Sequence, residues 1–200
     1  MKRFLPLLGL LVAAAAPGAS AQAPAYADKT HDHVEAGVYG NFFRLNDQNI
    51  DFGGLGGRAG FNINPYVQIE AEMSYDFKRA FPETFTNGAT FSVVDSNVRV
   101  LHGLFGPKFQ TNRGPVRLFL TVKGGFDEFL FDSRPASFGT FASSVQNLRA
   151  GNVKAALYPG VGGEAFWGPL GLRLDAGDEI YFANGARNNL RIAFGPTIRF

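Results

Sequence analysis

The chain has 200 residues, about one domain's worth, with 25 glycines and 21 phenylalanines but one tryptophan and no cysteine. No cysteine means no disulfide frame, no thiolate zinc site and no lipoprotein anchor, and the aromatic content excludes a disordered chain. The formal charge of +2, from 19 basic and 17 acidic residues, offers no basic patch of the kind that binds nucleic acid.

Residues 1–21 read as a secretory signal peptide. Lys2 and Arg3 precede the apolar run FLPLLGLLVAAAA, and small residues lead up to an expected cut between Ala21 and Gln22. The run is too short and too alanine-rich for a membrane anchor helix. Losing Lys2 and Arg3 leaves 17 basic residues against 17 acidic ones. Residues 22–31 are expected to form a polar, flexible lead-in, and residues 32–200 one domain.

From there the apolar period is two rather than 3.6. In VQIEAEMSYDFK, Val67, Ile69, Ala71, Met73, Tyr75 and Phe77 fall on one face. Gln68, Glu70, Glu72, Ser74, Asp76 and Lys78 fall on the other, as successive Cβ atoms of a strand require. Eight such strands follow in order, at about 32–44, 53–63, 66–78, 94–109, 116–129, 153–166, 170–182 and 190–200. The fourth is the least regular. Most reach the ~9–11 residues that a tilted strand needs to cross a bilayer. The connections at Asn64–Pro65, at 110–115 and at 167–169 are short. Those at 45–52, 79–93, 130–152 and 183–189 are longer. Short and long links alternate, which in an up-and-down barrel sorts them to opposite rims. Phe141, Val145 and Leu148 fit i, i+4, i+7, so the longest loop reads either as a helical turn or as plain loop.

The fold class is therefore all-β, an eight-stranded antiparallel up-and-down transmembrane β-barrel. Three features turn its apolar face outward. First, the polar faces carry balanced charge. The expected lumen set is Glu35, Arg58, Glu70, Glu72, Arg99, Arg117, Lys123, Glu164, Arg173, Asp175 and Arg191, with Asp76, Lys78, Asp95, Asp127, Lys154 and Arg199 on the same faces. Buried charges need partners. Glu70 and Glu72 are expected to pair with Arg58 and Arg99. Second, many polar-face positions are glycine, and eight strands leave an interior just wide enough for side chains. Third, Phe42, Tyr66, Phe77, Phe109, Phe126, Trp167 and Phe182 sit near strand ends, as interfacial girdles do.

The NPYVQIEAEMSYDF strand, the GPKF segment, the LRLDAGDEIYF strand and the terminal FGPTIRF together resemble the outer-membrane β-barrel domain of the OmpA/OmpX type, over about residues 33–200. The resemblance implies a location in the cell outer membrane and a bilayer and lipopolysaccharide as surroundings. It also implies a C-terminal signal for the barrel-assembly machinery, made of Phe200 with Ile198 and Phe194 on one face. Longer members of the group carry a peptidoglycan-binding domain after the barrel, and this chain stops at the barrel.

Chemistry-bearing motifs are sparse. His31 and His33, beside Asp28, Asp32 and Glu35, form at most a weak divalent site at a frayed strand entry. His102 faces lipid if Val98, Val100 and Leu104 do, or the lumen if a bulge lies near Leu101. Some eight-stranded outer-membrane barrels are lipid A deacylases with a serine two positions after a histidine. Here that position is Leu104. Asp175, Asp178 and Glu179 match no calcium loop and read as a strand-end charge cluster. GGLGGRAG lacks the Lys-Ser/Thr ending of a phosphate loop. The expectation is a monomeric, non-enzymatic barrel without cofactor or nucleic-acid partner, with a structural or surface-contact role and a lumen filled by ion pairs. A narrow pore, a lipid A-modifying enzyme and a soluble periplasmic ligand-binding barrel are the alternatives.

Overall fold

A computed structural model describes residues 33–111, 114–132, 141–149 and 151–200. The expected signal peptide, its expected cleavage between Ala21 and Gln22, the lead-in and His31 lie outside the described residues. The elements in chain order are β1 (Val34–Leu45), β2 (Ile50–Asn64), β3 (Val67–Thr86), β4 (Phe91–Gln110), β5 (Val116–Phe131), β6 (Ala142–Ser143), α1 (Gln146–Arg149), β7 (Val153–Trp167), β8 (Leu170–Phe182) and β9 (Ala186–Arg199). The long strands pair antiparallel in the order β2-β1-β9-β8-β7-β5-β4-β3, and β2–β3 pairing closes the circle. The result is a closed eight-stranded barrel. The two-residue β6 lies outside the circle, on the upper edge of β3 at Phe85 and Thr86.

The alternation read from the sequence sets the two faces. Outward-facing Leu55, Met73, Leu118 and Leu174 are each more than half exposed, while inward-facing Arg117, Lys123 and Arg191 are fully buried. Such a surface suits lipid, where every backbone group must be paired and closure removes all strand edges. Exposed Tyr66, Phe109, Trp167 and Phe200 ring one end of the apolar band, and Phe42, Phe77 and Phe182 ring the other. No helix among the described residues is long and apolar enough to cross a membrane; the crossing is made by strands.

Three of the four long connections are strand instead. β3 and β4 run 20 residues each, about 65 Å along the strand against an apolar band roughly 25 Å tall. Tight turns at 46–49, 87–90 and 183–185 close these hairpins, the β3–β4 one well beyond the band. Asn49 and Asn184 (φ 53° each) and Gly88 (φ 90°) take the left-handed conformation there, which asparagine and glycine tolerate best. In the remaining connection the described residues 141–149 carry β6 and the single turn α1.

The fourth strand turns His102 inward, one of the two facings left open for it, and reverses the facing expected for Asp95 and Arg99. Ser96, Val98, Val100, His102, Leu104, Lys108 and Gln110 are all buried, and Asp95 and Arg99 are exposed. No bulge interrupts β4. The irregularity is in β3, where Asp76 pairs with Val100 and Arg79 with Val98, so Phe77 and Lys78 together oppose Arg99. Arg99 is therefore not a lumen residue. Val98 and Val100 point inward because the lumen itself turns apolar at that height.

Candidate functional site

The candidate site is the barrel interior, which the strands line in layers. Near the turn end, Glu35 of β1 accepts hydrogen bonds from Lys108 Nζ at 3.1 Å and from Arg117, and Lys108 reaches Glu164 Oε1 at 2.7 Å. Arg173 of β8 joins this layer to the next, contacting Glu164 at 3.2 Å and Glu70. In the middle, Lys123 bridges Glu70 and Glu72, the latter at 2.7 Å, and Arg191 donates to Glu72 Oε1 at 2.7 Å. Arg58 donates to Asp175 Oδ1 at 2.6 Å and Arg173 Nε donates to the same atom at 3.0 Å. Arg191 continues upward to Glu179 at 3.1 Å. Aromatic faces fill the spaces: Arg58 lies 4.1 Å from the Tyr39 ring centroid and Arg173 lies 4.3 Å from that of Phe119.

These contacts relocate several sequence expectations. Glu70 and Glu72 pair with Lys123, Arg173 and Arg191 rather than with Arg58 and Arg99. Arg58 serves Asp175, and Arg99 stands outside. Lys108 was missed because the proline of GPKF obscured the alternation. Glu179 is not part of a strand-end cluster: it is fully buried facing inward, while Asp178 holds Asn189 N at 2.8 Å on the rim.

His102 meets three carboxylates. Its Nε2 lies 3.0 Å from Asp76 Oδ2, and its Nδ1 lies 3.0 Å from Asp127 Oδ1 and 2.5 Å from Glu179 Oε1. Asn41 Nδ2 donates to the other Asp76 oxygen at 2.8 Å. Immediately above, the interior changes character. Phe43, Leu45, Ile50, Phe52, Phe81, Val98, Val100, Phe129 and Tyr181 form an apolar cluster, into which Val145 and Leu148 of the long loop insert. An anchor outside the membrane span holds that loop. Arg149 Nη2 meets Glu83 Oε2 at 2.7 Å, and Ser143 Oγ donates to Glu83 Oε1. Burial acts to raise the Glu83 carboxyl, but hydrogen bonds from Arg149, Ser143 and Ser96 outweigh it and hold it below the usual glutamate range. Of the triad Phe141, Val145 and Leu148 that the sequence set on one face, Val145 and Leu148 are buried in the cluster while Phe141 is half-buried ahead of the turn α1.

Phe194 and Phe200 are exposed and Ile198 is half-buried on the outer face of β9 and its end, and the Phe200 amide donates to Val34 O at 2.8 Å across the seam with β1.

A closed eight-stranded barrel, apolar outside and charged inside, is the fold of outer-membrane barrels of the OmpA/OmpX type. Ail, the attachment invasion locus protein of Yersinia pestis, is similar to this chain with a TM-score of 0.51 at 17% identity, over 85% of this chain and 98% of that one. Neisserial surface protein A gives 0.51 at 13% identity over 84% and 96%. OprG of Pseudomonas aeruginosa gives 0.50 at 9% identity over 85% and 96%. No protein-family model matches the sequence, and no curated protein matches it. At these identities the likeness is one of fold.

Proposed function

We propose that the protein is a monomeric, non-enzymatic outer-membrane barrel whose lumen is closed, serving the envelope as a structural and surface-contact element. The observation that carries this reading is the double closure of the interior. Ion pairs run unbroken from Glu35 through Lys108, Glu164, Arg173, Glu70, Lys123, Glu72 and Arg191 to Glu179. The apolar cluster then fills the interior above them. The non-enzymatic reading is supported at Leu104, which occupies the inward position a serine would need beside His102. Lipopolysaccharide is the natural neighbour of the outer rim. The β3 bulge exposes Phe77, Lys78, Arg79 and Ala80 consecutively, with Arg99 opposite. Cations directly above an aromatic belt suit lipid phosphates; Lys78 also reaches Asp132 at 3.5 Å. Assembly would use Phe200, Ile198 and Phe194 as the terminal signal.

The test is conductance of the refolded mature chain in planar bilayers, on material whose gel mobility changes on boiling. Small or absent currents are expected. Large, steady, porin-like currents would overturn the closed lumen and favour the pore.

A further inference from the structure

The closed lumen does not account for the geometry at His102. Two carboxylate oxygens, Asp127 Oδ1 at 3.0 Å and Glu179 Oε1 at 2.5 Å, converge on one ring nitrogen, Nδ1. That nitrogen carries at most one hydrogen, and one N–H cannot satisfy two ionised acceptors fully. All three residues are buried, where an unpaired charge is costly. In addition, Asp127 Oδ2 is buried with no hydrogen-bond partner. The other side of the ring is arranged differently. Nε2 lies 3.0 Å from a single oxygen of Asp76, whose second oxygen is held by Asn41 at 2.8 Å. A proton on Nε2 is therefore well bound, and the Nδ1 proton shared between Asp127 and Glu179 is the one an incoming cation displaces, uncovering a lone pair aimed between them. A carboxylate that takes the far N–H of an imidazole is the usual outer partner of a metal-binding histidine.

We propose that His102 Nδ1, Asp127 and Glu179 form a binding site for one first-row divalent metal ion within the barrel. The three ligand atoms lie within 4.8 Å of one another, the only such group of His, Cys, Asp or Glu among the described residues. Atoms bound tetrahedrally to zinc stand roughly 3.4 Å apart. One imidazole nitrogen with two carboxylate oxygens suits Zn²⁺ best, since an all-oxygen set would be needed to favour Mg²⁺ or Ca²⁺. The ion takes the place of the shared proton. It satisfies both converging oxygens, Asp127 Oδ1 and Glu179 Oε1. Arg191 holds the outer oxygen of Glu179 at 3.1 Å, leaving Oε1 for the ion. Lys154 stands opposite Asp127 in the β5–β7 register. The Phe43 ring, 4.9 Å from the His102 ring, and the apolar cluster above it close the route from outside, so the ion is taken up during folding and released slowly.

The test refolds the mature full-length barrel into micelles with ZnCl2, strips free metal with EDTA and measures zinc by emission spectrometry. About one zinc per chain is expected to survive. His102→Gln and Asp127→Asn should each lose retained zinc at least tenfold. Each variant is first shown to be folded by its gel shift, and Asp127→Asn carries the test if His102→Gln does not fold. In ¹⁵N spectra of the zinc-treated parent, His102 should keep its Nε2 proton and show a metal-bound Nδ1. Zinc-free parent protein, unchanged zinc in folded Asp127→Asn, or an imidazolium with both N–H groups would each overturn the site. The outcome is independent of conductance, so the closed lumen and the metal site stand or fall separately.

Discussion

Glu72 offers the sharpest test of how tightly the interior is paired. Its carboxylate lies between Lys123 Nζ and Arg191 Nη1, each 2.7 Å away, and all three side chains are at most 1% exposed. Glu72→Gln keeps the shape and removes one charge, leaving two buried cations short of a counter-ion. Breaking a buried pair this way costs about 3–5 kcal/mol. Lys123 still has Glu70, and Arg191 still has Glu179 at 3.1 Å, so the low end, about 3 kcal/mol, is expected. That shifts the folding equilibrium by about two orders of magnitude. Lys123→Met added to Glu72→Gln removes the surplus cation and leaves two intact pairs, Glu70–Arg173 and Arg191–Glu179. The double variant should recover part of the loss, with a coupling of about 2 kcal/mol in a double-mutant cycle. Urea unfolding in lipid vesicles, read by the gel shift, measures each corner. If Glu72→Gln matches the parent within about 0.5 kcal/mol, or if the two changes simply add, the central layer is hydrated and the pairing argument fails.

Other outcomes follow from the rims and the wall. The folded-state pKa of Glu83 is lowered, so its contribution to loop docking is complete above the ordinary glutamate range, about pH 4.3, and is lost as pH falls through the lowered value. Hydrogen exchange over residues 142–149 should accelerate only in acid for the parent, but by roughly 30-fold at neutral pH for Glu83→Gln, for a loss of about 2 kcal/mol; unchanged exchange would refute the anchor. Gly56→Ala would place a Cβ 2.4 Å from the buried Tyr39 ring, costing about 1–3 kcal/mol of stability in the same urea assay. Replacing Lys78, Arg79 and Arg99 together with serine should lower the lipopolysaccharide that co-purifies with the barrel, measured as phosphate per chain, without changing the gel shift. Removing Phe200 should cut outer-membrane levels in cells while refolding in micelles stays near normal, because the residue is 55% exposed; equal cellular levels would make it merely a strand end.

What could be read from sequence depended on which solvent each face meets. Lipid requires apolar residues at every outward position, so Val67 to Phe77 and Val116 to Val122 declared their facing directly. Above the bulge at Phe77 and Lys78 the outside is water, and the rule changes sign. Lys78, Arg79, Asp95 and Arg99 turn outward there, and Phe81, Phe85, Val98 and Val100 turn inward. Assigning polarity to the lumen throughout therefore put Arg99 inside and left His102 undecided. The same rule ended the strands too early, since alternation of apolar and polar residues no longer marked them. The hairpin signals were nevertheless present in Asn87-Gly88 and Asn184-Gly185. The bulge, the extended hairpins and the apolar mouth thus have one cause. Where the wall leaves the bilayer, its outer surface no longer needs to be greasy, and the apolar residues are released to close the interior. The three-carboxylate surroundings of His102 lie just below that change, with Asp76 the last inward residue of β3 before the bulge. Four strands bring them together there, β3, β4, β5 and β8, and no spacing along a single strand can signal a site assembled around a closed circle.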